Sequence, residues 1–299
     1  MPKKKLLVIY GPTALGKTSL ALKMAADLQG ELISADSRQV YQGMDIGTGK
    51  DLEENQKVWL VDLIRPNQTF SSYQWARLAI LAAKNIWSRN KLPIVVGGSA
   101  FYLKTLLEGL DTQGIAPNWP LRRKLEKLKL SDLKSRARKM DPKRWENLNN
   151  SDQNNPRRLI RLVELSLSRK KNDKNFFLKN ANILGIYLDA PLEFIGEKIK
   201  KRIEKRMKQG IIKEIRYLLS LYCWEDPGLN CLAYKEFEDY FKKKKKLSLV
   251  KNEWFKDELS FAKKQKLWFR KNKLFIKVRA DQKGSLDKAG QRMKKWSNG

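Results

Sequence analysis

A chain of 299 residues with 41% hydrophobic and 10% aromatic side chains is too apolar to be disordered and long enough for one large core or a core with an appended unit. Lysine and arginine number 63 against 32 aspartates and glutamates, a formal charge of +31. That points to nucleic acid, because cations that neutralise phosphates release condensed counterions, although a Lys-rich proteome would also make any of its proteins basic. Histidine is absent and the two cysteines, Cys223 and Cys231, are too far apart for a CxxC motif, which excludes the usual zinc sites. Free thiols in a reducing cytoplasm are expected, and with no run of ~18 apolar residues a membrane span is not.

The N-terminal MPKKKLLVIYG puts positive charge before an apolar run, but Leu6 to Tyr10 is shorter than the ~7 to 15 residues of a secretory signal. It reads as a strand buried on both faces of a parallel sheet. Helical periodicity follows over Ser19 to Leu28. A strand is then expected over Glu31 to Asp36 (ELISAD), a helix over Phe70 to Arg89, and a strand over Pro93 to Gly98 that ends in paired glycines. From about Gln113 to Asn180 strand-like runs vanish, and Arg, Lys, Asn and Leu at helical spacing dominate. Ile183 to Asp189 restores a strand. Pro191 to Leu221 is one long basic helical pattern, Pro227, Gly228 and Lys242 to Lys246 mark loops, Glu253 to Asn272 is a last helix and Leu274 to Val278 a last strand. The alternation predicts an α/β fold, a P-loop NTPase-like three-layer core around a parallel sheet. Its first part is 1–114, its second 181–299, and a small helical domain, 115–180, is inserted between them.

Gly11-Pro12-Thr13-Ala14-Leu15-Gly16-Lys17-Thr18 fits GxxxxGK[ST] between an expected strand and an expected helix, the context that the motif requires. Its backbone N–H groups and the helix N-terminus converge on phosphate oxygens. Lys17 reaches the outer phosphate and Thr18 offers its hydroxyl to Mg2+, the one cofactor expected. The loop alone does not separate kinases, GTPases and other transferases, most of which hold ATP there. ELISAD ends in Asp36, as a kinase's magnesium-binding strand would. Lys198, Arg202 and Arg206 recur at i, i+4 and share a helix face that suits a diphosphate or is simply solvated.

The segment Asp36 to Lys50, DSRQVYQGMDIGTGK, resembles the DSxQVYxxMDIGTxK of bacterial tRNA dimethylallyltransferases (isopentenyltransferases). Further similarities follow in order: Gly97-Gly98-Ser99-Ala100-Phe101-Tyr102 to GGTxLY, Asn155 to Arg161 to the DxQRIxR cluster, and Ala262 to Arg270 to AKRQxTWFR. The resemblance spans nearly the whole chain. It implies transfer of a dimethylallyl group from dimethylallyl diphosphate to N6 of the adenosine 3′ of the anticodon in a tRNA stem-loop, the base being flipped out of its stack. Asp36 is then the base that takes the N6 proton. Arg202, eight residues before Gly210, is the catalytic arginine, and Lys17 is the third catalytic residue. Contacts to tRNA are implied for Asp36, Ser37, Arg38, Gln39 and Ser99, and in the insert for Arg122, Arg123, Arg157, Arg158, Leu159, Ile160 and Arg161. The competing reading for these arginines is a helix surface paired with Glu164 or solvent. Trp268 and Phe269 are expected in the core rather than stacked on a base.

Several positions depart from the family. Val58-Trp59-Leu60-Val61-Asp62 stands where the family has paired histidines, Ser99 replaces Thr, Asn155-Pro156 replaces Asp, Arg157 replaces Gln, and Pro191 stands in place of an arginine. A cytoplasmic monomer is expected. The rival functions are a P-loop nucleotide kinase or NTPase, an adenylate isopentenyltransferase acting on free AMP, ADP or ATP, and a non-catalytic RNA-binding protein.

Overall fold

Strand β1, Lys5–Tyr10, is buried at every residue after Lys5, as a strand with sheet neighbours on both sides and helices on both faces must be. The computed structural model describes residues 4–50, 57–109, 115, 117–168, 178, 181–269 and 274–299. β1 lies in a six-stranded sheet with β2 (Gly30–Ser34), β3 (Val58–Trp59), β4 (Leu92–Gly97), β5 (Asn182–Asp189) and β6 (Phe275–Arg279) in the order β3-β2-β4-β1-β5-β6. Every pairing is parallel. Leu7 sits opposite Ile94 on one side and Leu184 on the other.

The chain leaves β1 through helix α1 (Lys17–Asp27) toward β2, and reaches β4 through α2 (Ser72–Ser88). It crosses to the other side of β1 only at β5. The carboxyl ends of β1 and β4 therefore flank a topological switch point, the crevice where open α/β sheets bind ligands. Helix α2 starts at a capping box between Ser71 and Gln74 and buries Trp75, Ala76, Ala79, Ala83 and Ile86 along one stripe. Trp75 donates its indole N–H to Ser34 O at 2.9 Å and stacks on Tyr102 of α3 (Ala100–Leu107) at 4.7 Å.

The chain divides into two compact units, residues 1–108 with 178–299, and residues 109–177. The second unit corresponds to the expected insertion but runs from 109 rather than 115 and to 177 rather than 180. Residues 110–114, 116, 169–177 and 179–180, where those boundaries fall, lie outside the described residues, as does Arg270 of the last motif. This unit is helical: α4 (Trp119–Leu125), α5 (Leu130–Met140), α6 (Pro142–Glu146), α7 (Asn150–Gln153) and α8 (Pro156–Leu167). Asn118, Asp141, Asn149 and Asn155 cap four of these helices with their side chains, each satisfying a free backbone N–H at a helix start. Leu125, Leu133, Ala137, Leu159, Ile160, Leu162 and Val163 form the unit's core. Leu159 and Ile160 are therefore not RNA contacts, because their side chains are 0% and 3% exposed.

After β5 come α9 (Leu192–Gln209), α10 (Ile211–Leu219), α11 (Glu238–Phe241), α12 (Leu247–Phe269) and α13 (Ser285–Asn298). The single helix expected over Pro191 to Leu221 is two, because Gly210 takes a left-handed φ of 98° that ends α9. Helix α12 begins at Leu247, earlier than Glu253. β2 ends at Ser34, so Asp36 stands in the loop beyond it. Trp268 is half-buried and packs edge-on against Tyr10 of the core at 5.1 Å, while the side chain of Phe269 lies outside the described residues. Among the described residues no helix is long and apolar enough to cross a membrane.

Replacing Trp75 by Ala removes the largest fully buried side chain of α2 together with a buried hydrogen bond. The expected loss is about 3–5 kcal/mol of unfolding free energy, read by urea denaturation.

Candidate active site

The phosphate loop is held from behind by one side chain of α12. Gln265, 3% exposed, accepts from Thr13 N–H through Oε1 at 3.0 Å and donates from Nε2 to Gly98 O at 2.8 Å. Tyr10 donates to its backbone carbonyl at 3.0 Å. The loop after β1 and Gly98 just after β4 are thus tied to the same residue. Within the loop, Lys17 Nζ donates to Pro12 O at 2.8 Å. Thr18 is exposed at the start of α1.

A cleft of about 220 Å³ opens above this loop, lined among others by Thr13, Gly16, Lys17, Thr18, Asp36, Arg38, Gln39, Gly98, Arg202, Arg206, Glu258 and Phe261. It brings together the three residues expected to be catalytic, Asp36, Lys17 and Arg202. Asp36 Oδ1 accepts from Arg38 N–H at 2.9 Å, which fixes the turn after β2. The Ser37 N–H donates to Ser99 Oγ at 2.9 Å, and the Ser99 hydroxyl donates to Ser37 Oγ at 3.1 Å. Serine in place of threonine at 99 thus keeps a hydroxyl at the junction of the two loops. Gln39 accepts from Ser34 Oγ–H at 2.8 Å and donates to Gly49 O at 3.1 Å, so part of its amide serves the protein itself.

From α9, Arg202 donates to Thr13 Oγ1 at 2.5 Å and to Glu258 Oε2 at 3.0 Å. Arg206 and Arg38 lie 3.8 and 4.0 Å from Glu258 Oε1, and Arg38 stacks over Phe261 at 4.6 Å. Lys198, on the next turn, is exposed and lies over Phe194 instead. Of the three cations at i, i+4 spacing, two face the cleft. Glu258, Phe261 and the bridging role of Gln265 have no counterpart in the sequence reading, since their partners are remote in sequence.

The rest of the DSRQVYQGMDIGTGK segment builds a turn. Glu214 of α10 accepts from the N–H groups of Asp45, Ile46 and Gly47 at 2.9, 2.7 and 3.2 Å, and from the Tyr234 hydroxyl at 2.7 Å. Lys50 pairs with Asp45 at 2.8 Å and Asp62 at 2.5 Å. A Cβ on Gly49, whose φ is 69°, would collide with the Arg206 guanidinium, so the motif needs glycine there. Trp59, where the family has a histidine, is structural: its indole N–H donates to Glu31 at 3.0 Å. Pro191 starts α9 at its N-cap.

In the helical unit two of the candidate tRNA-binding arginines also pair internally. Arg122 grips Glu164 through two bonds of 2.6 and 2.8 Å, and Arg161 reaches it at 3.0 Å and Ile115 O at 2.7 Å. Glu164 is 4% exposed, so both guanidinium groups serve as counter-ions to a buried carboxylate. Arg158 pairs with Asp152 yet stays exposed. Arg123 and Arg157 are exposed and remain open to a phosphate backbone.

Desolvation in the cleft lowers the Lys17 ammonium to about 8, against the opposing pull of Asp36 and Glu258. An anion beside Lys17 favours its charged form, so binding takes up a proton once the pH exceeds about 8. The affinity for inorganic diphosphate, measured by calorimetry as a ratio to the Lys17→Met variant, is expected to fall as pH rises through this value. A ratio independent of pH contradicts this.

Residues 39–272 match the family described as IPP transferase. The chain is 34% identical over 304 residues to the tRNA dimethylallyltransferase of Acetivibrio thermocellus, with 96% of each chain covered. It is 37% identical over 273 residues to tRNA dimethylallyltransferase 2 of Citrifermentans bemidjiense, with 89% of this chain and 86% of the other covered. The solved structure of full-length tRNA isopentenylpyrophosphate transferase from Bacillus halodurans matches with a TM-score of 0.72 at 26% identity, covering 99% of this chain and 97% of that one. A eukaryotic dimethylallyltransferase acting on tRNA shares the fold, with a TM-score of 0.83 at 24% identity over 99% of this chain and 79% of its own. With the match spanning most of its length and its relatives covered almost end to end, the chain belongs to the IPP transferase family.

Proposed function

We propose that the chain transfers a dimethylallyl group from dimethylallyl diphosphate to N6 of the adenosine 3′ of the anticodon in tRNA. The observation that carries this is the single cleft in which the phosphate loop, Arg202 and the Asp36 carboxylate meet. The relatives named for this activity, and the chain's +31 charge, support RNA as the acceptor. Exposed Arg123, Arg157 and Arg158 suit its backbone.

The chemistry needs three things from the protein. The N6 lone pair attacks the allylic carbon as its bond to the diphosphate oxygen breaks, so the two reactants must lie in line. Negative charge grows on the leaving diphosphate, which Lys17, Arg202 and the loop N–H groups neutralise. The attacking nitrogen becomes acidic as its C–N bond forms, and Asp36 takes the proton. Asp36 Oδ1 is occupied by Arg38 N–H, and among the described residues nothing bonds Oδ2, which leaves that oxygen to face N6.

Magnesium fits the oxygen donors present. Among the described residues no cluster of three or more His, Cys, Asp or Glu could hold a metal by itself, and magnesium commonly takes only one or two protein oxygens, filling its shell with water and phosphate. Thr18 Oγ1 would hold it. When bound it would neutralise part of the diphosphate charge. A base reaches so enclosed a cleft only by leaving its stack, at a cost of a few kcal/mol.

Incubating the protein with labelled dimethylallyl diphosphate, magnesium and an unmodified anticodon stem-loop tests the reading. Label is expected in adenosine, with AMP a poor competitor, and Asp36→Asn is expected to lower kcat about 10²–10⁴-fold with little change in donor KM. Preferential labelling of AMP supports the free-nucleotide reading instead. Phosphoryl transfer from ATP without an allylic donor supports the kinase reading.

A further inference from the structure

Glu258 takes no part in the proposed chemistry, yet it is the most enclosed charge in the cleft. It is 1% exposed, and three guanidinium groups converge on it: Arg202 at 3.0 Å on Oε2, Arg206 at 3.8 Å and Arg38 at 4.0 Å on Oε1. Trp254 donates its indole N–H to Oε1 at 3.3 Å. Burial pushes the carboxyl up, but the three arginines outweigh it and hold it below the usual carboxylate range. It is therefore ionised at neutral pH, paired and hydrogen-bonded as a buried charge must be.

The arrangement fixes the plane of one arginine. Arg202 reaches Thr13 Oγ1 with one terminal nitrogen and Glu258 with the other, and its fork is rigid. Its Nε is buried with no partner among the described residues. Thr13 is in turn held by Gln265, seven residues after Glu258 on the same face of α12. Glu258, Arg202, Thr13 and Gln265 thus close a ring, and Phe261 lies on that face beneath Arg38. Without the carboxylate, three cations would repel one another at the mouth of a phosphate site.

We infer that Glu258 is a positioning residue that orients Arg202 against the phosphate loop and whose charge weakens the cleft's hold on free diphosphate, so that the product of transfer leaves. The first effect rests on the prenyl-transfer reading. The second is measurable with inorganic diphosphate alone.

Glu258→Gln keeps the shape and an acceptor for Arg202 and Trp254 but removes the charge. Glu258→Asp keeps the charge and withdraws it by one methylene. The Gln variant is expected to bind inorganic diphosphate about tenfold or more tighter, because a negative charge beside the anion is gone, with kcat limited by release and donor KM lowered along with it. The Asp variant is expected to bind diphosphate like the parent and to lose kcat about tenfold through a misplaced Arg202. In an Arg202→Lys background that loss is expected to disappear, which a double-mutant cycle reads. Thermal midpoints separate these effects from loss of folded protein. A Glu258 that only supports the fold would give lower midpoints, unchanged diphosphate affinity and additive losses, and that overturns the inference. If the parent protein transfers no prenyl group, the reaction assigned above falls by itself, and the diphosphate arm decides alone: tighter binding by the Gln variant sustains the charge effect, and equal binding overturns it.

Discussion

The site depends on one buried amide. Gln265 joins Thr13 of the phosphate loop to Gly98 beyond β4, and its carbonyl anchors Tyr10 of β1. Each bond is modest on its own, but leaving either partner unpaired in the interior costs about 1–3 kcal/mol. The phosphate loop, coded near the start of the chain, is therefore positioned by a helix coded near its end. That helix also sets the electrostatics, because Glu258, Phe261 and Gln265 fall on one face and meet Arg202, Arg206 and Arg38 there. The loop supplies backbone donors, and α12 determines where the cationic side chains stand around them.

A strongly basic chain has to decide where each arginine goes. Two destinations are visible. Arg122 and Arg161 neutralise Glu164 inside the helical unit, and Arg202, Arg206 and Arg38 share Glu258 in the cleft. Such buried pairs organise side chains more than they add stability. Arg123 and Arg157 remain exposed, where a charge adds little to folding and much to the binding of a polyanion. Formal charge alone therefore overstates how many arginines stand clear of an internal carboxylate.

Features whose physics is local were legible in the sequence. The continuous apolar run of β1 and the GxxxxGKT that follows carry their own structural meaning, and Asp36, two residues past β2, lines the cleft because strand ends at a switch point are where ligands sit. The break at Gly210 was also written locally, as a glycine after a basic last turn, and the length of the helical pattern masked it. Leu159 and Ile160 carried a similar signal: in PRRLIRLVELSL the apolar positions fall on one stripe that a small helical unit must bury. Glu258 and Gln265 could not be assigned roles, because a lone carboxylate and a lone amide on a basic helix acquire meaning only from partners that the fold brings in. The two-residue strand Val58–Trp59 is too short to show a period.

The most direct test of this account is the affinity of the Gln265→Leu protein for inorganic diphosphate, measured by calorimetry alongside its unfolding free energy. Leucine fills a similar volume but satisfies neither Thr13 N–H nor Gly98 O. The account predicts about a tenfold or greater loss of diphosphate affinity in a protein that still folds. Unchanged affinity in the folded protein would contradict the claim that α12 positions the phosphate loop.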